Sequence, residues 1–210
     1  MNEIKIIGVG GSPRKGGNTD ILLDSFLKGA ESAGAETKKV LLREYSIEPC
    51  IGCEACRKAG TCIKFHDGMG FLYPEIEAAK GLILGSPTYN YNVTAQMKAF
   101  IDRLYPYYNF TNDLPRRYSS RLAGQGRKAI VFSVCEQLEI EEMGFTLGAL
   151  GMPLEALGYE VVEKFPVTGY FHRGAVSRDE ELVRKTFEAG KKLAEALLRA
   201  GGVGNLPEKG

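Results

Sequence analysis

Hydrophobic residues along the chain form two kinds of pattern: short continuous runs, and stretches in which they recur every three or four positions. The continuous runs are rich in β-branched residues and end in glycine, serine or proline. This is typical of strands buried on both faces of a parallel sheet. Five such strands are predicted, at residues 4–9, 37–42, 81–85, 128–135 and 159–167.

The periodic stretches between these runs predict helices. For the first helix we expect Asn18 or Thr19 as the N-terminal capping residue and a left-handed Gly34 just after its end. The last helix is expected to begin with a capping box formed by Ser177 and Glu180. Further helices are predicted over 68–80, 93–104 and 143–157.

Strands of this kind separated by helix-length stretches predict an α/β fold, a doubly wound parallel five-stranded sheet with helices on both faces. Such folds bind ligands at the carboxyl ends of their strands. The length of 210 residues fits a single domain over 1–210. Two segments interrupt the alternation: a cysteine-rich loop over 49–67 and an excursion rich in aromatic and basic residues over 105–125.

Composition and charge narrow the classes of function. The chain is 44% hydrophobic and 25% charged, as in ordinary globular domains. Its net charge of +1 gives no general attraction to nucleic acid or to an anionic membrane. No signal peptide is recognised, and no stretch approaches the ~20 apolar residues of a transmembrane helix, so we expect a cytoplasmic protein. In that compartment clustered cysteines indicate metal or redox chemistry rather than disulfides.

The loop after the first strand has the composition of a phosphate site. It joins a strand to the start of a helix, where free backbone N–H groups and the positive end of the helix dipole attract an anion. Hydroxyl, amide and guanidinium groups supply donors, and two glycines let the backbone approach closely. The candidate residues are Ser12, Arg14, Gly16, Gly17, Asn18 and Thr19. A polar loop with ordinary helix capping is the alternative.

The residues of this loop exclude two better-known phosphate sites. A P-loop requires Lys and then Ser or Thr after its last glycine, and here Gly16 is followed by Gly17 and Asn18. The dinucleotide fingerprint requires a glycine where this chain has Pro13. A kinase, an ATPase and a Rossmann-type NAD enzyme are therefore not expected.

Four of the five cysteines lie within thirteen positions, with the spacing C-x2-C-x2-C-x5-C. Three thiolates two residues apart can surround one side of a [4Fe-4S] cluster while the fourth comes from a short excursion. Zinc usually takes two separated Cys or His pairs, and a loop without metal is the remaining alternative. The fifth, Cys135, lies in an apolar strand and is expected to be a buried small hydrophobe. The predicted cluster ligands are Cys50, Cys53, Cys56 and Cys62.

The excursion over 105–125 is too long for a simple turn. Interleaved aromatic and basic residues also suit stacking on single-stranded nucleic acid, but we expect no nucleic-acid partner. A lid over a bound cofactor or a subunit contact is favoured, because clustered aromatic side chains would otherwise form a costly exposed patch. A plain surface loop is the alternative.

Three motifs resemble one family. They are Gly-Ser-Pro-Arg-Lys-Gly-Gly-Asn-Thr at 11–19, Gly-Ser-Pro-Thr-Tyr at 85–89 and Met-Lys-Ala-Phe-Ile-Asp-Arg at 97–103, which resemble the NADPH-dependent FMN reductase group. With the cysteine quartet, the whole chain resembles an iron-sulfur flavoprotein of that group. The resemblance implies a flavodoxin-like fold, an FMN phosphate at the 11–19 loop, and homodimers or homotetramers. It also implies an isoalloxazine lined by Pro87, Thr88, Tyr89 and Asn90.

The activity that this resemblance implies is electron transfer by a flavin-dependent oxidoreductase. FMN exchanges one or two electrons and a cluster only one, so the pair can couple NAD(P)H to a one-electron carrier such as ferredoxin. No side chain is required as an acid or a base, so no catalytic residue is predicted. The alternatives are an NAD(P)H-dependent FMN or quinone reductase without a cluster, and a flavodoxin-like carrier without turnover of its own.

Overall fold

The structure is a computed structural model that describes residues 4–202, with side chains to residue 200. The predicted domain over 1–210 therefore extends beyond the described residues at both ends. The strands are β1 (Lys5–Gly10), β2 (Glu36–Leu41), β3 (Gly81–Pro87), β4 (Tyr108–Phe110), β5 (Tyr118–Ser120), β6 (Lys128–Val134) and β7 (Glu160–Val167). The α-helices are α1 (Asn18–Ser32), α2 (Cys56–Ala59), α3 (Met69–Ala78), α4 (Ala95–Asp102), α5 (Thr146–Ala156) and α6 (Glu180–Gly202).

Five strands form one parallel sheet in the order β2-β1-β3-β6-β7. Numbered along the chain, this is the order 2-1-3-4-5 of flavodoxin-like folds. The predicted five-stranded α/β fold is confirmed. The register between β1 and β3 runs from Ile6 opposite Gly81 to Gly10 opposite Gly85, so the loops that follow these two strands leave the sheet side by side.

Helices cover both faces of this sheet. On one face α1 and α6 pack against Ile6, Ile83 and Phe132. On the other face α3, α4 and α5 pack against Val9 and Leu84. Because both faces are covered, the strands carry apolar residues continuously rather than alternately, which is the pattern seen in the sequence.

The two helices of the first face approach each other at glycines. A Cβ built on Gly29 of α1 would lie 1.9 Å from the Phe187 carbonyl oxygen, and one on Gly190 of α6 would lie 1.9 Å from the Phe26 carbonyl oxygen. These distances leave no room for any side chain. The backbones of α1 and α6 are therefore in direct contact, which fixes the position of the helix that follows the 11–17 loop.

Two predicted helix caps are wrong. The capping residue of α1 is Gly17, which has no side chain, and Asn18 already lies in the helix. At the start of α6 the Asp179 carboxylate accepts a hydrogen bond from the Leu182 backbone N–H at 2.9 Å, whereas the Ser177 hydroxyl donates to the Gly174 carbonyl. The residue types expected of caps are present in both places, but Asn18 forms tertiary hydrogen bonds and Ser177 bonds within its own turn. Among the helices of residues 4–202, none is long and apolar enough to cross a membrane.

Replacing Gly29 with alanine is expected to destabilise the protein by roughly 2–3 kcal/mol, because the new methyl group would meet backbone that cannot yield like a side chain. Urea unfolding followed by circular dichroism measures the change. Gly70→Ala is the matched control, since Gly70 also lies in a helix and a Cβ there meets nothing within 4 Å. That variant should gain about 0.4–1 kcal/mol. Equal stabilities of the two variants would contradict close α1–α6 packing.

Candidate functional site

The loops that follow β1, β3, β6 and β7 surround one cleft at the carboxyl edge of the sheet, here called the strand-end cleft. All the residues predicted for the phosphate and isoalloxazine contacts line it except Gly16 and Asn90. The last residue of β6, Val134, and Glu136 in the loop that follows it also line the cleft. The lining residues are Ser12, Arg14, Gly17, Asn18, Thr19, Pro87, Thr88, Tyr89, Val134, Glu136, Tyr170, Phe171 and Arg173.

The start of α1 is suited to an anion. Gly17 caps the helix without a side chain, so no side-chain oxygen accepts from the first N–H groups, which also lack partners within the helix. A Cβ on Gly17 would lie 3.1 Å from the Arg14 carbonyl oxygen and 3.6 Å from the Ser12 hydroxyl, in space the loop needs for itself. N–H groups without a side-chain cap at a helix N-terminus, beside two arginines of the cleft, make a site for a phosphate.

A nearly buried ion pair holds this loop in shape. The Arg43 guanidinium, just after β2, donates two hydrogen bonds to the Asp20 carboxylate at 2.9 and 2.8 Å. Arg43 also donates to the Ser12 carbonyl, and Asp20 accepts from the Gly16 N–H at 2.8 Å. Gly16 is left-handed, with φ of 64°, and its N–H faces Asp20. Gly16 therefore shapes the loop, and its N–H is already used.

The segment after β7 closes the cleft on a side that sequence reasoning missed. The Asn18 amide donates to the His172 carbonyl at 3.0 Å, and its oxygen accepts from the Val176 N–H. Arg14 donates to the Phe171 carbonyl and lies over the Phe171 ring at 5.2 Å. Two left-handed glycines, Gly169 and Gly174, bracket this aromatic and basic run. That bracketing at a strand end was the available signal.

The turn after β3 has an uncommon backbone. Tyr89 and Asn92 exchange two backbone hydrogen bonds, and the residues between them, Asn90 and Tyr91, both have positive φ, 48° and 64°. Tyr91 is unusual there, because bulky residues rarely adopt this conformation. The Tyr91 carbonyl accepts from the Phe145 N–H at 2.8 Å, which helps to fix the turn. The turn directs Tyr89, but not Asn90, to the cleft.

Thr94 ties this turn to the first loop. As the capping residue of α4 it accepts from the Met97 N–H, and its hydroxyl donates to the Gly11 carbonyl at 2.7 Å. Its own N–H donates to the Ser86 hydroxyl. The loop after β1 and the loop after β3 are thus joined through one buried side chain.

The four clustered cysteines line a second cavity, here called the cysteine cavity. All four are free thiols, and the chain between them turns through left-handed residues at Gly52, Glu54 and Gly60. Within the described part of the chain it shares no lining residue with the strand-end cleft. Its wall is completed by Ile51, Ile63, Phe65, Tyr73, Asp102, Arg103, Tyr105 and Pro106, among others.

The donor set of the cysteine cavity fits a thiolate-bound metal centre. Four sulfur atoms face one cavity with no histidine among its lining residues, and soft thiolates select zinc, copper(I) or iron-sulfur centres. Among the side chains that the structure describes, no three Cys, His, Asp or Glu groups are arranged to hold a metal ion. The cysteine-rich loop therefore places the four predicted ligands around one cavity, but not in the geometry of a metal site.

Burial changes the acidity of two groups at this cavity. It raises the pKa of the Cys56 thiol above its ordinary value. It also raises the pKa of Tyr73 to about 12, so the Tyr73 hydroxyl stays protonated and donates to the Arg103 carbonyl at 2.8 Å. A thiol of raised pKa holds its proton at neutral pH, so metal binding at Cys56 would release that proton.

The excursion over 105–125 packs on the cysteine loop. Its strands β4 and β5 form an antiparallel hairpin. The Glu54 carboxylate accepts from the Tyr105 hydroxyl at 3.0 Å and from Arg116 at 2.5 Å, and Arg116 and then Tyr105 are the chief causes that lower the pKa of Glu54. Arg57 donates to the Phe110 carbonyl, and Arg121 donates to the Gly60 carbonyl.

No residue of 105–125 lines the strand-end cleft as described, and a lid over the bound cofactor stays a prediction. A subunit contact stays a prediction. Cys135 follows β6, is 5% exposed and does not line the cysteine cavity, which confirms it as a buried residue of the core.

Comparison with known proteins gives concordant results. A profile of the NADPH-dependent FMN reductase family matches residues 4–129. An iron-sulfur flavoprotein of Archaeoglobus fulgidus is 45% identical over 104 residues, 50% of this chain and 47% of that protein. The matched segment thus spans about half the length of this relative. A second iron-sulfur flavoprotein of that organism is 29% identical over 184 residues, 84% of this chain and 82% of that protein.

Among solved structures, an NAD(P)H:quinone oxidoreductase from Methanothermobacter marburgensis superposes with a TM-score of 0.69. The alignment covers 91% of this chain and 99% of that one at 20% sequence identity. At this identity the likeness concerns the fold alone.

The Asp20–Arg43 pair gives a test of how the first loop is held. Asp20→Ala is expected to lower the free energy of unfolding by about 3 kcal/mol, since it leaves a largely buried guanidinium without its partner. The double variant Asp20→Ala/Arg43→Met should recover much of that loss, because no unpaired charge remains. Urea unfolding measures both.

Glu181→Ala, which breaks an exposed ion pair with Lys185, is the control and should change stability little. If Asp20→Ala behaves like this control, the pair does not support the loop.

Proposed function

Because the chain belongs to the NADPH-dependent FMN reductase family, we propose that it is an FMN-dependent oxidoreductase that uses the strand-end cleft. The observation that carries this proposal is the meeting of four strand-end loops around the N-terminus of α1, which has no side-chain cap. A phosphate monoester is the anion that such a terminus accommodates, with no dinucleotide fingerprint beside it. FMN supplies one- and two-electron chemistry when bound.

The residues of the cleft divide the binding of FMN between them. Asn18 and Thr19 present N–H groups of the helix start, and Gly17, whose own N–H donates to the Arg14 carbonyl, gives the backbone room beside them. Ser12 and Arg14 supply a hydroxyl and a guanidinium to the phosphate. Pro87, Thr88 and Tyr89 line the isoalloxazine side. Gly16 and Asn90 act through the backbone of their turns rather than by contact.

We further propose that Cys50, Cys53, Cys56 and Cys62 hold a [4Fe-4S] cluster. Their spacing, their convergence on one cavity and the absence of histidine from its lining residues support this, and relatives matched over about half of the chain are named iron-sulfur flavoproteins. The cluster adds one-electron chemistry to that of FMN. Within the chain, the loop residues bind it, and the hairpin over 105–125 limits the motion of the loop.

The proposed activity is electron transfer between NAD(P)H or a reduced carrier and an acceptor, with a small protein such as ferredoxin as the one-electron partner. No side chain is assigned as an acid or a base; the protein binds and orients its cofactors and excludes water. The two rivals are a reductase without a cluster and a carrier without turnover. A homodimer or homotetramer is the expected assembly, which light scattering measures.

Anaerobic purification with FMN, iron and acid-labile sulfide quantified per chain tests this proposal. We expect one FMN per chain, with FMN rather than FAD on chromatography, and four iron atoms. Zinc in place of iron, or FAD as the main flavin, overturns the corresponding assignment. Steady-state NAD(P)H oxidation with an artificial acceptor then separates an enzyme from a carrier.

Asn18→Ala is expected to weaken FMN binding by roughly 1–3 kcal/mol, because the variant removes the buried hydrogen bonds that hold the 170–176 segment against the cleft. Fluorescence titration of the apoprotein with FMN measures the affinity. Asp24→Asn, on an exposed face of the same helix, is the control and should bind FMN normally. Unchanged affinity in Asn18→Ala would move the flavin away from this cleft.

Single exchanges of Cys50, Cys53, Cys56 and Cys62 for serine are each expected to remove most of the iron and sulfide, while FMN content stays near that of the unchanged protein. Because different loops build the two cavities, loss of the cluster should not cause loss of FMN. Cys135→Ser is the control and should keep its iron, since Cys135 lies in the core. Loss of iron in Cys135→Ser with retention in Cys62→Ser would refute the assignment of the fourth ligand.

A further inference from the structure

One guanidinium in the wall of the cysteine cavity is almost completely buried. Arg103 follows α4, is 2% exposed and lines the cavity together with the four cysteines. Burying a cation is costly unless its surroundings compensate the charge. The partners of Arg103 therefore decide what it does there.

The hydrogen bonds of Arg103 satisfy only part of the guanidinium. Its two terminal nitrogens donate to the Asp67 carboxylate at 2.7 and 3.1 Å, and one of them also donates to the Glu48 carbonyl at 2.8 Å. The Phe65 ring lies 5.2 Å away on one side. The Nε–H is buried and has no hydrogen-bond partner among the residues that the structure describes. A buried donor without an acceptor costs about 1–3 kcal/mol.

Comparison with a second buried arginine shows that the lack of an acceptor for Nε–H is not a general property of buried arginines in this protein. Arg127 is 3% exposed, and its Nε–H donates to the Gln125 side chain at 3.0 Å. Its other nitrogens donate to carbonyl groups at the end of α3, among them those of Ile76 and Glu77. Arg127 does not line the cysteine cavity. The unsatisfied donor thus occurs at the arginine that adjoins the four thiols.

The Arg103–Asp67 ion pair is also oriented with respect to the cavity, whose other charged lining residues are Glu54, Lys64 and Asp102. Arg103 lines the cavity, whereas Asp67, its carboxylate partner, does not. The ion pair therefore presents its positive partner to the cavity that the four cysteines line. Hydrogen bonds to the sulfurs and nearby charge are two of the factors that set the reduction potential of an iron-sulfur centre.

We propose that Arg103 tunes the cluster by donating its Nε–H to a sulfur atom and by placing a positive charge beside it. Arg103 is a positioning residue, and this inference rests on the proposed [4Fe-4S] cluster. When one electron enters from a one-electron carrier, the cluster gains one negative charge and no bond forms or breaks. The adjacent cation stabilises that reduced state more than the oxidised one, which raises the reduction potential.

The test measures the midpoint potential of the cluster by anaerobic redox titration with electron paramagnetic resonance, together with iron and sulfide content. The double variant Arg103→Gln/Asp67→Asn removes both charges, so no unpaired carboxylate remains to unfold the protein. We expect its equilibrium constant for cluster reduction to fall about tenfold, which is 59 mV for a one-electron couple. Asp67→Asn alone should shift the potential in the opposite direction, because the cation is then uncompensated.

Arg127→Lys is the matched control, a change at an equally buried arginine, and its potential should equal that of the unchanged protein. Unaltered potentials in the double variant and in Asp67→Asn, with full clusters, would overturn the proposal, as would an equal shift in Arg127→Lys. Loss of the cluster from a folded double variant would also overturn it, since Arg103 would then serve only to hold the loop at Glu48. Absence of iron and sulfide from the unchanged protein would instead refute the proposed cluster.

Discussion

A parallel sheet requires the chain to return to the same edge after every strand, and it requires both faces to be covered. In this protein α1 and α6 meet that requirement on one face, and α3, α4 and α5 meet it on the other. The crossovers leave the carboxyl ends of β1, β3, β6 and β7 together, so the strand-end cleft follows from the way the sheet is covered. The contact of α1 and α6 at glycines then fixes the helix whose N-terminus faces the cleft.

The strands could be predicted from the sequence because burial on both faces leaves a direct trace in composition. All five predicted strands exist, and their ends differ from prediction by a few residues. The helix caps were harder to predict from the sequence. Asn18 and Ser177 have the chemistry of caps, but Asn18 bonds to a segment more than 150 residues away, and Ser177 bonds within its own turn. The hydrogen-bond partner of a polar side chain depends on which groups the fold brings near it. The local sequence does not contain that information.

The candidate site was predictable where its parts are contiguous. The 11–19 loop and the cysteine spacing are local motifs, and the structure places their residues around two separate cavities. The 170–173 segment was missed because its one signal, the two glycines that bracket it, belongs to no familiar motif, and the contact of the hairpin over 105–125 with the cysteine loop was not foreseen. Its aromatic and basic residues were visible in the sequence, but their acceptors, Glu54 and the Gly60 carbonyl, lie in a distant loop. Complementarity of that kind appears only after the chain has folded.

The helix α4 connects the two cavities and thereby restricts how the chain can change in length. Its first turn is fixed to the strand-end cleft through Thr94, and Asp102 and Arg103 at its other end line the cysteine cavity. Eight residues of α-helix rise about 12 Å, and each added residue turns the helix by about 100°. One inserted residue would rotate Arg103 out of the cavity wall while leaving the strand-end loops intact. Insertions and deletions are therefore tolerable in the tip of the hairpin between β4 and β5, but within α4 only in steps that restore a whole turn.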